Sequence, residues 1–309
     1  MTGNVLVTGG NGFIGSKLVE VLRRKGYKAF IFDSSSGGVD LRNLADVVMA
    51  VSNVDTVFHL AAIADLNWAR MYPLQTMKIN IEGTWNVAYA CKEACANLYY
   101  ASTCCVYGNQ KIHPATELSL PNPSEIYACS KLAGENIIKG FHHTYGLAYN
   151  MMRFATIYGE GTRPALATHI FMGQAIRGEP ITVHGEGAQT RTLTHVDDLV
   201  AGIVALYESG KMNDVWNMTA TEEISALKTA VDIKKVTGSS SPITFIEQRI
   251  GQTFKEQLSA DKMKNEVGWK AEIPWEEGLR RMFKWFVKTD QVYNLYKEPG
   301  KTKEQEARK

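Results

Sequence analysis

Through the first half of the chain, short apolar runs alternate with stretches whose apolar residues recur at helical spacing. Residues 4–8 (NVLVT) are a continuous apolar run, which predicts a buried strand. A Gly-rich turn follows. Ile14, Leu18 and Leu22 then recur at helical spacing up to Lys25-Gly26, where glycine suits a left-handed helix end. The same alternation predicts strands over 29–33, 56–60, 98–103 and 149–154, with helices over 44–52, 84–96 and 126–144. Strands alternating with helices imply an α/β fold, a doubly wound parallel sheet covered on both faces.

After residue 157 the pattern loosens. Gly-rich loops are expected at 159–164 and 185–189, and helices over 165–177, 196–208 and 275–287. This reads as a smaller, mixed α/β region placed against the first. The stretch 298–309 is charged and nearly free of apolar residues, so it is expected to lie outside the fold.

Composition narrows the function classes. At 309 residues the chain has room for about two domains. Hydrophobic residues make up 45% and charged residues 21%, as in an ordinary globular protein. Thirty-four basic against 32 acidic residues give a formal charge of +2, which leaves no footprint for nucleic acid or an acidic membrane surface. No apolar run approaches the ~20 residues of a membrane span, and no basic segment followed by an apolar one opens the chain. Five cysteines without paired C-x-x-C spacing point to reduced thiols in the cytoplasm, and against a disulfide framework or a metal site.

The turn after the first strand reads Gly9-Gly10-Asn11-Gly12-Phe13-Ile14-Gly15. This is G-x-x-G-x-x-G between a strand and a helix, the setting in which backbone amides and a helix N-terminus cradle a dinucleotide pyrophosphate. Asp33 ends the second strand, where a carboxylate accepts hydrogen bonds from the adenosine ribose and repels the 2′-phosphate of NADP. NAD is therefore the expected cofactor, although an Asp before Ser34-Ser35-Ser36 also suits a turn cap. Asp40 and Leu41 fall where an adenine amino group could be held.

Tyr127 and Lys131 are four apart on one predicted helix and share a face. A tyrosine with a pKa near ~10 needs a downward shift of ~3 units, about 4 kcal/mol, to act as a base at neutral pH. A nearby ammonium and a positive nicotinamide both push that way. Thr103 ends a central strand, at the mouth of the crevice where open parallel sheets bind ligands. Cys91 and Cys95 read as small core residues, His59 as structural, and Trp68 and Trp85 as packing aromatics.

Together these features resemble the extended short-chain dehydrogenase/reductase family, in its nucleotide-sugar epimerase/dehydratase branch. The resemblance rests on TGGNGFIG (8–15), HLAA (59–62), Asn80, STCCVYG (102–108), YACSK (127–131), RFATIYG (153–159), QTRTLTHVDD (189–198) and ADKMKNEVGW (260–269). It implies a Rossmann-like NAD-binding domain over 1–157, to which 191–218 return, and a substrate-binding region formed by 158–190 and 219–297. It further implies that Gly9, Gly12, Phe13, Ile14, Asp33, Asp40, Leu41, Leu60, Ala61, Ala62, Asn80, Tyr127 and Lys131 bind NAD. Tyr127 would be the base, Lys131 would hold the nicotinamide ribose, and Thr103 would bind the reacting oxygen. Thr156, Arg191 and Arg249 would meet the diphosphate of a nucleotide sugar, a task that suits guanidinium forks. Relatives of this kind pair as homodimers through the helices carrying Tyr127 and residues 84–96.

The departures from the family pattern are as informative. Thr156 stands where many relatives have Asn, and Thr192-Leu193 replaces Asp-Phe. Cys104 and Cys105 occupy positions that are Asp and Glu in 4,6-dehydratases, and the second is Glu in UDP-glucuronate decarboxylases. Both reactions are disfavoured here. GDP-mannose 3,5-epimerase, by contrast, has a catalytic cysteine where Cys105 stands. The leading expectation is an NAD-dependent nucleotide-sugar epimerase acting at C4 through a transient 4-keto sugar. The alternatives are C3/C5 epimerisation with Cys105 as acid/base, net oxidation at C4, and a dinucleotide-sensing protein without catalysis.

Overall fold

The apolar runs of the first half pair into one parallel sheet. The computed structural model describes residues 3–37, 39–248 and 254–289; Arg249 and the stretch 298–309 lie outside them. In chain order the first elements are β1 (Asn4–Thr8), α1 (Phe13–Arg24), β2 (Lys28–Phe32), α2 (Leu44–Val51), β3 (Thr56–His59), α3 (Leu66–Met71), α4 (Pro73–Met77), α5 (Gly83–Ala94), β4 (Asn97–Thr103), α6 (Ile126–Tyr145) and β5 (Tyr149–Phe154). There follow β6 (Thr156–Tyr158), α7 (Ala167–Arg177), β7 (Ile181–His184), β8 (Thr190–His195), α8 (Val196–Glu208), β9 (Asp214–Met218), β10 (Glu223–Ser225), α9 (Ala226–Thr237), β11 (Ile243–Ile246), β12 (Lys255–Glu256) and α10 (Trp275–Lys288).

The main sheet runs β2-β1-β3-β4-β5-β9, with every pair parallel. The strand order reverses between β1 and β3, and the carboxyl ends of such strands open onto a ligand crevice. One face of the sheet buries Leu18, Leu22, Phe58, Tyr99, Ile203 and Trp216 against α1 and α8. The other buries Val47, Val57, Val87, Leu98, Ile138 and Met151 against α2, α5 and α6. Leu18 and Leu22, four residues apart on α1, are both fully buried, so the helical period seen in the sequence is the face that packs.

Helix ends are set locally. Asn43 caps α2 by accepting from Ala45 N–H, Asp65 caps α3 by accepting from Trp68 N–H, and glycines in the left-handed region end α6, α7 and α9. Between α4 and α5 the helix widens over Lys78–Glu82. Beyond β5, β8 is the hub of a small sheet. It pairs antiparallel with β10 and parallel with β6 and β12. β7 and β11 form a separate parallel pair. Tyr158, Phe171, Ile181, Ile233, Trp275 and Leu279 make the core of this region among α7, α9 and α10. Among the described residues, no helix is long and apolar enough to cross a membrane.

Candidate active site

Four segments meet at the carboxyl ends of β1, β3 and β4. The first is the Gly loop after β1. Gly9 sits at φ +71, and a Cβ there would lie 2.8 Å from Ala61 N; at Gly15 it would lie 2.1 Å from the Gly9 carbonyl. Side chains are thus excluded where the loop folds against the turn after β3. Gly12 caps α1 with no side chain blocking the helix N-terminus, so the first-turn amides stay available to an anion. Phe13 and Ile14 open α1, half-buried against the core.

Asp33 lies across from this loop. Its carboxylate accepts from Asn11 N–H at 3.0 Å, Ser35 N–H at 2.9 Å and Ser35 Oγ at 2.7 Å. It does cap the short turn Ser34–Ser36, and it also braces the Gly loop. Burial pushes the carboxyl up, but the hydrogen bonds from Ser35 and Asn11 outweigh it and hold the group below its ordinary value. Asp40 is engaged by its own neighbour, Arg42, while Leu41 is buried and its carbonyl accepts from Asn86 Nδ2 at 2.7 Å.

Leu60, Ala61 and Ala62 follow β3 and are half-buried, with Ala61 N–H donating to Thr8 Oγ1 at 3.2 Å. His59, before them, is buried between Thr8 and Thr84, as a structural histidine should be. Asn80 is also buried. Its amide takes Ile63 N–H at 2.8 Å and donates to Ile63 O and Ser130 Oγ, both at 2.9 Å. It therefore ties the loop after β3 to α6.

Tyr127, Lys131 and Glu135 lie on successive turns of α6. The Thr103 hydroxyl accepts from Cys105 N–H at 3.2 Å and lies near enough to the Tyr127 phenol to lower its pKa. Burial pushes the phenol above its ordinary value and Cys105 adds to this, whereas Arg163 and Thr103 pull it down. The cation that pulls the phenol down is thus Arg163, from the Gly-rich loop after β6. Lys131 is buried with its ammonium 4.3 Å over the Tyr100 ring. Burial lowers it to about 7, against the pull of Glu135.

Glu256 on β12, which the sequence did not single out, enters beside these groups. Its carboxylate accepts from Cys104 Sγ at 3.0 Å and Thr156 Oγ1 at 3.2 Å, and lies 3.5 Å from Arg191 Nε. Thr156 and Arg191 are therefore brought together with Cys104. Cys91 is buried in the core as expected, but Cys95 is exposed at the end of α5, and Trp68 and Trp85 are 45% and 41% exposed rather than packed inside.

Comparison with known proteins follows the same lines. The profile of the NAD dependent epimerase/dehydratase family matches residues 5–219. UDP-glucuronic acid decarboxylase 1 of Xenopus tropicalis is 30% identical over 304 residues, 92% of this chain and 72% of that protein. The UDP-glucose 4-epimerase of Thermotoga maritima, solved with UDP-glucose, superposes with a TM-score of 0.89 at 29% identity, covering 93% of this chain and 99% of that one. The UDP-glucose 4-epimerase of Thermus thermophilus, solved with NAD, gives 0.86 at 26% identity, covering 93% and 99%.

Proposed function

The chain belongs to the NAD-dependent epimerase/dehydratase family, and from that premise we propose that it epimerises a nucleotide-diphosphate sugar at C4 through a transient 4-keto sugar. The observation that carries this reading is the placement of Thr103, at the end of β4, beside the Tyr127 phenol whose pKa it lowers, with buried Lys131 one turn along α6. Gly9, Gly12 and the unblocked start of α1 suit a pyrophosphate, and Asp33 suits a ribose without a 2′-phosphate. Bound NAD supplies a reversible two-electron acceptor for the sugar carbon.

The chain's own groups handle the proton and the positioning. Thr103 holds the substrate oxygen, and Tyr127 takes its proton and later returns it. Arg163 and Thr103 favour the phenolate that this step needs. Lys131 holds the nicotinamide ribose. Arg191 exchanges Glu256 for the substrate diphosphate. In this assignment residues 1–157 with 191–218 carry the cofactor, and 158–190 with 219–297 carry the sugar nucleotide. The chain pairs as a homodimer through α5 and α6, whose outer surface presents Trp85 stacked 5.4 Å from Tyr89, with Tyr145 59% exposed. Its free cysteines fit a reducing cytoplasm.

The Cys104–Glu256 contact favours a second reading, C3/C5 epimerisation, because it gives the thiol pair beside Thr103 a proton acceptor. Turnover in D2O separates the two. A C4 epimerase interconverts C4 epimers and leaves carbon-bound hydrogen unlabelled. Solvent deuterium in the ring that vanishes in Cys105→Ala would establish the second reading, and no epimer formation with any nucleotide sugar would overturn both.

A further inference from the structure

Three ligand-bearing side chains converge next to Thr103. One atom each from Cys104 Sγ, Cys105 Sγ and the Glu256 carboxylate lie within 4.8 Å of one another. Cys104 is buried, and the other two are half-buried. Tetrahedral zinc, with bonds of about 2.0–2.3 Å, sets its ligand atoms roughly 3.3–3.8 Å apart. The Cys104 Sγ–Glu256 Oε1 separation is 3.0 Å, near that range, and Cys105 Sγ lies within 4.8 Å of both. We propose that Cys104, Cys105 and Glu256 form a binding site for a thiophilic divalent cation of the zinc class, inside the crevice beside Thr103 and Tyr127.

Charge balance supports the site. With both thiols protonated, the carboxylate faces Arg191 at 3.5 Å and the group is neutral. One divalent ion replacing two thiol protons leaves it neutral again, so a partly buried crevice takes the ion without gaining charge. Two sulfurs select zinc over magnesium or calcium. Three protein ligands leave a fourth position for water or a substrate oxygen. Glu160, His195 and Asp197 also converge. That set offers no sulfur to a thiophilic ion, and Lys17, 3.0 Å from Asp197 and 3.9 Å from Glu160, and Arg281, 3.7 Å from Asp197, crowd it with positive charge.

An ion at this site caps Cys105 and leaves the Gly loop and Asp33 untouched. The test is titration of chelator-stripped protein with Zn2+, and with Co2+ as the spectroscopic probe. We expect one ion per chain, a tetrahedral thiolate spectrum with cobalt, and affinity that rises about hundredfold per pH unit below the thiol range, because two protons leave. Cys105→Ser and Glu256→Gln should each weaken binding at least tenfold, while Cys95→Ser and Cys129→Ser leave it unchanged. Retained NAD binding certifies the fold of each variant. Absence of the thiolate band, affinity independent of pH, or tight binding that survives a Cys104→Ala/Cys105→Ala double variant overturns the site. Zinc should also displace the nucleotide sugar and spare NAD. If no nucleotide sugar binds at all, the epimerase reading falls, and the cobalt spectrum still decides the metal site.

Discussion

Glu135 receives Arg153 through two parallel hydrogen bonds, 2.9 Å from Nε and 2.6 Å from the guanidinium end, one helical turn past Lys131. Both side chains are buried. Ser102 Oγ adds a third donor at 2.6 Å, and Arg153 stacks 4.7 Å over the Tyr107 ring. The pair welds α6 to β4 and β5 beneath the site. Its carboxylate is also the group that resists the loss of charge at Lys131.

Glu135→Gln should destabilise the protein by about 3–5 kcal/mol, because it leaves Arg153 buried without its counter-charge. Glu135→Gln/Arg153→Met should recover most of that loss. Denaturant unfolding of the three proteins checks it. A single variant as stable as the parent would make the pair dispensable.

The contribution of Lys131 to the stability of the cofactor-free protein should grow as pH rises from about 7 to about 10. A free lysine titrates near ~10.4, and Lys131 in the folded chain near about 7. Between those values the unfolded chain holds a proton that the native chain lacks, so stability rises with pH by about 1.4 kcal/mol per unit at most. Below about 7 both states are protonated and the slope vanishes. Lys131→Met should remove this contribution, read as the difference between two urea-melt series across pH. Parallel curves for the two proteins would place the proton elsewhere.

Tyr127→Phe should keep cofactor and sugar-nucleotide binding and lose about 10²–10⁴-fold in kcat, the range for a positioned acid–base group. Arg163→Gln should move the rising limb of the kcat–pH profile to higher pH, because Arg163 pulls the phenol down. An unmoved limb would mean that the guanidinium does not tune Tyr127.

NAD should bind far more tightly than NADP, and Asp33→Ala should weaken NAD and narrow the gap. Ser35 and Asn11 hold the carboxylate ionised, so the repulsion of a 2′-phosphate should persist across the neutral range. Equal affinities in the unsubstituted protein, measured by calorimetry, would remove Asp33 from the ribose.

Five of the six central strands were legible because they are apolar runs, and runs such as 4–8 and 98–103 lie within a residue of the observed strands. That the glycines, Asp33, Thr103, Tyr127 and Lys131 gather at one end of the sheet was legible because each sits at a fixed offset from a strand or a helix. The strands β6 to β12 were not, since runs of two to six residues of mixed polarity carry no clear period. Helices α3, α4 and α9 were also missed. Asn80 was singled out in the sequence, but its tie between Ile63 and Ser130 was not. Glu256 lies 152 residues from Cys104, and no spacing rule spans that distance. Arg163 sat unnoticed in a Gly-rich loop.

β12 is only two residues long, and it pairs Lys255 with Thr190 and Glu256 with Arg191. Successive strand residues point to opposite faces. A slide of one position would carry Glu256 away from Cys104 and swing Lys255, now 3.3 Å from Glu223 on the far side, into its place. The sign of the electric field around the thiol pair would reverse. The alignment of two short strands therefore acts as a polarity setting for the crevice, and a single insertion or deletion just before Lys255 would invert it while leaving every residue at the ends of β1, β3 and β4 unchanged.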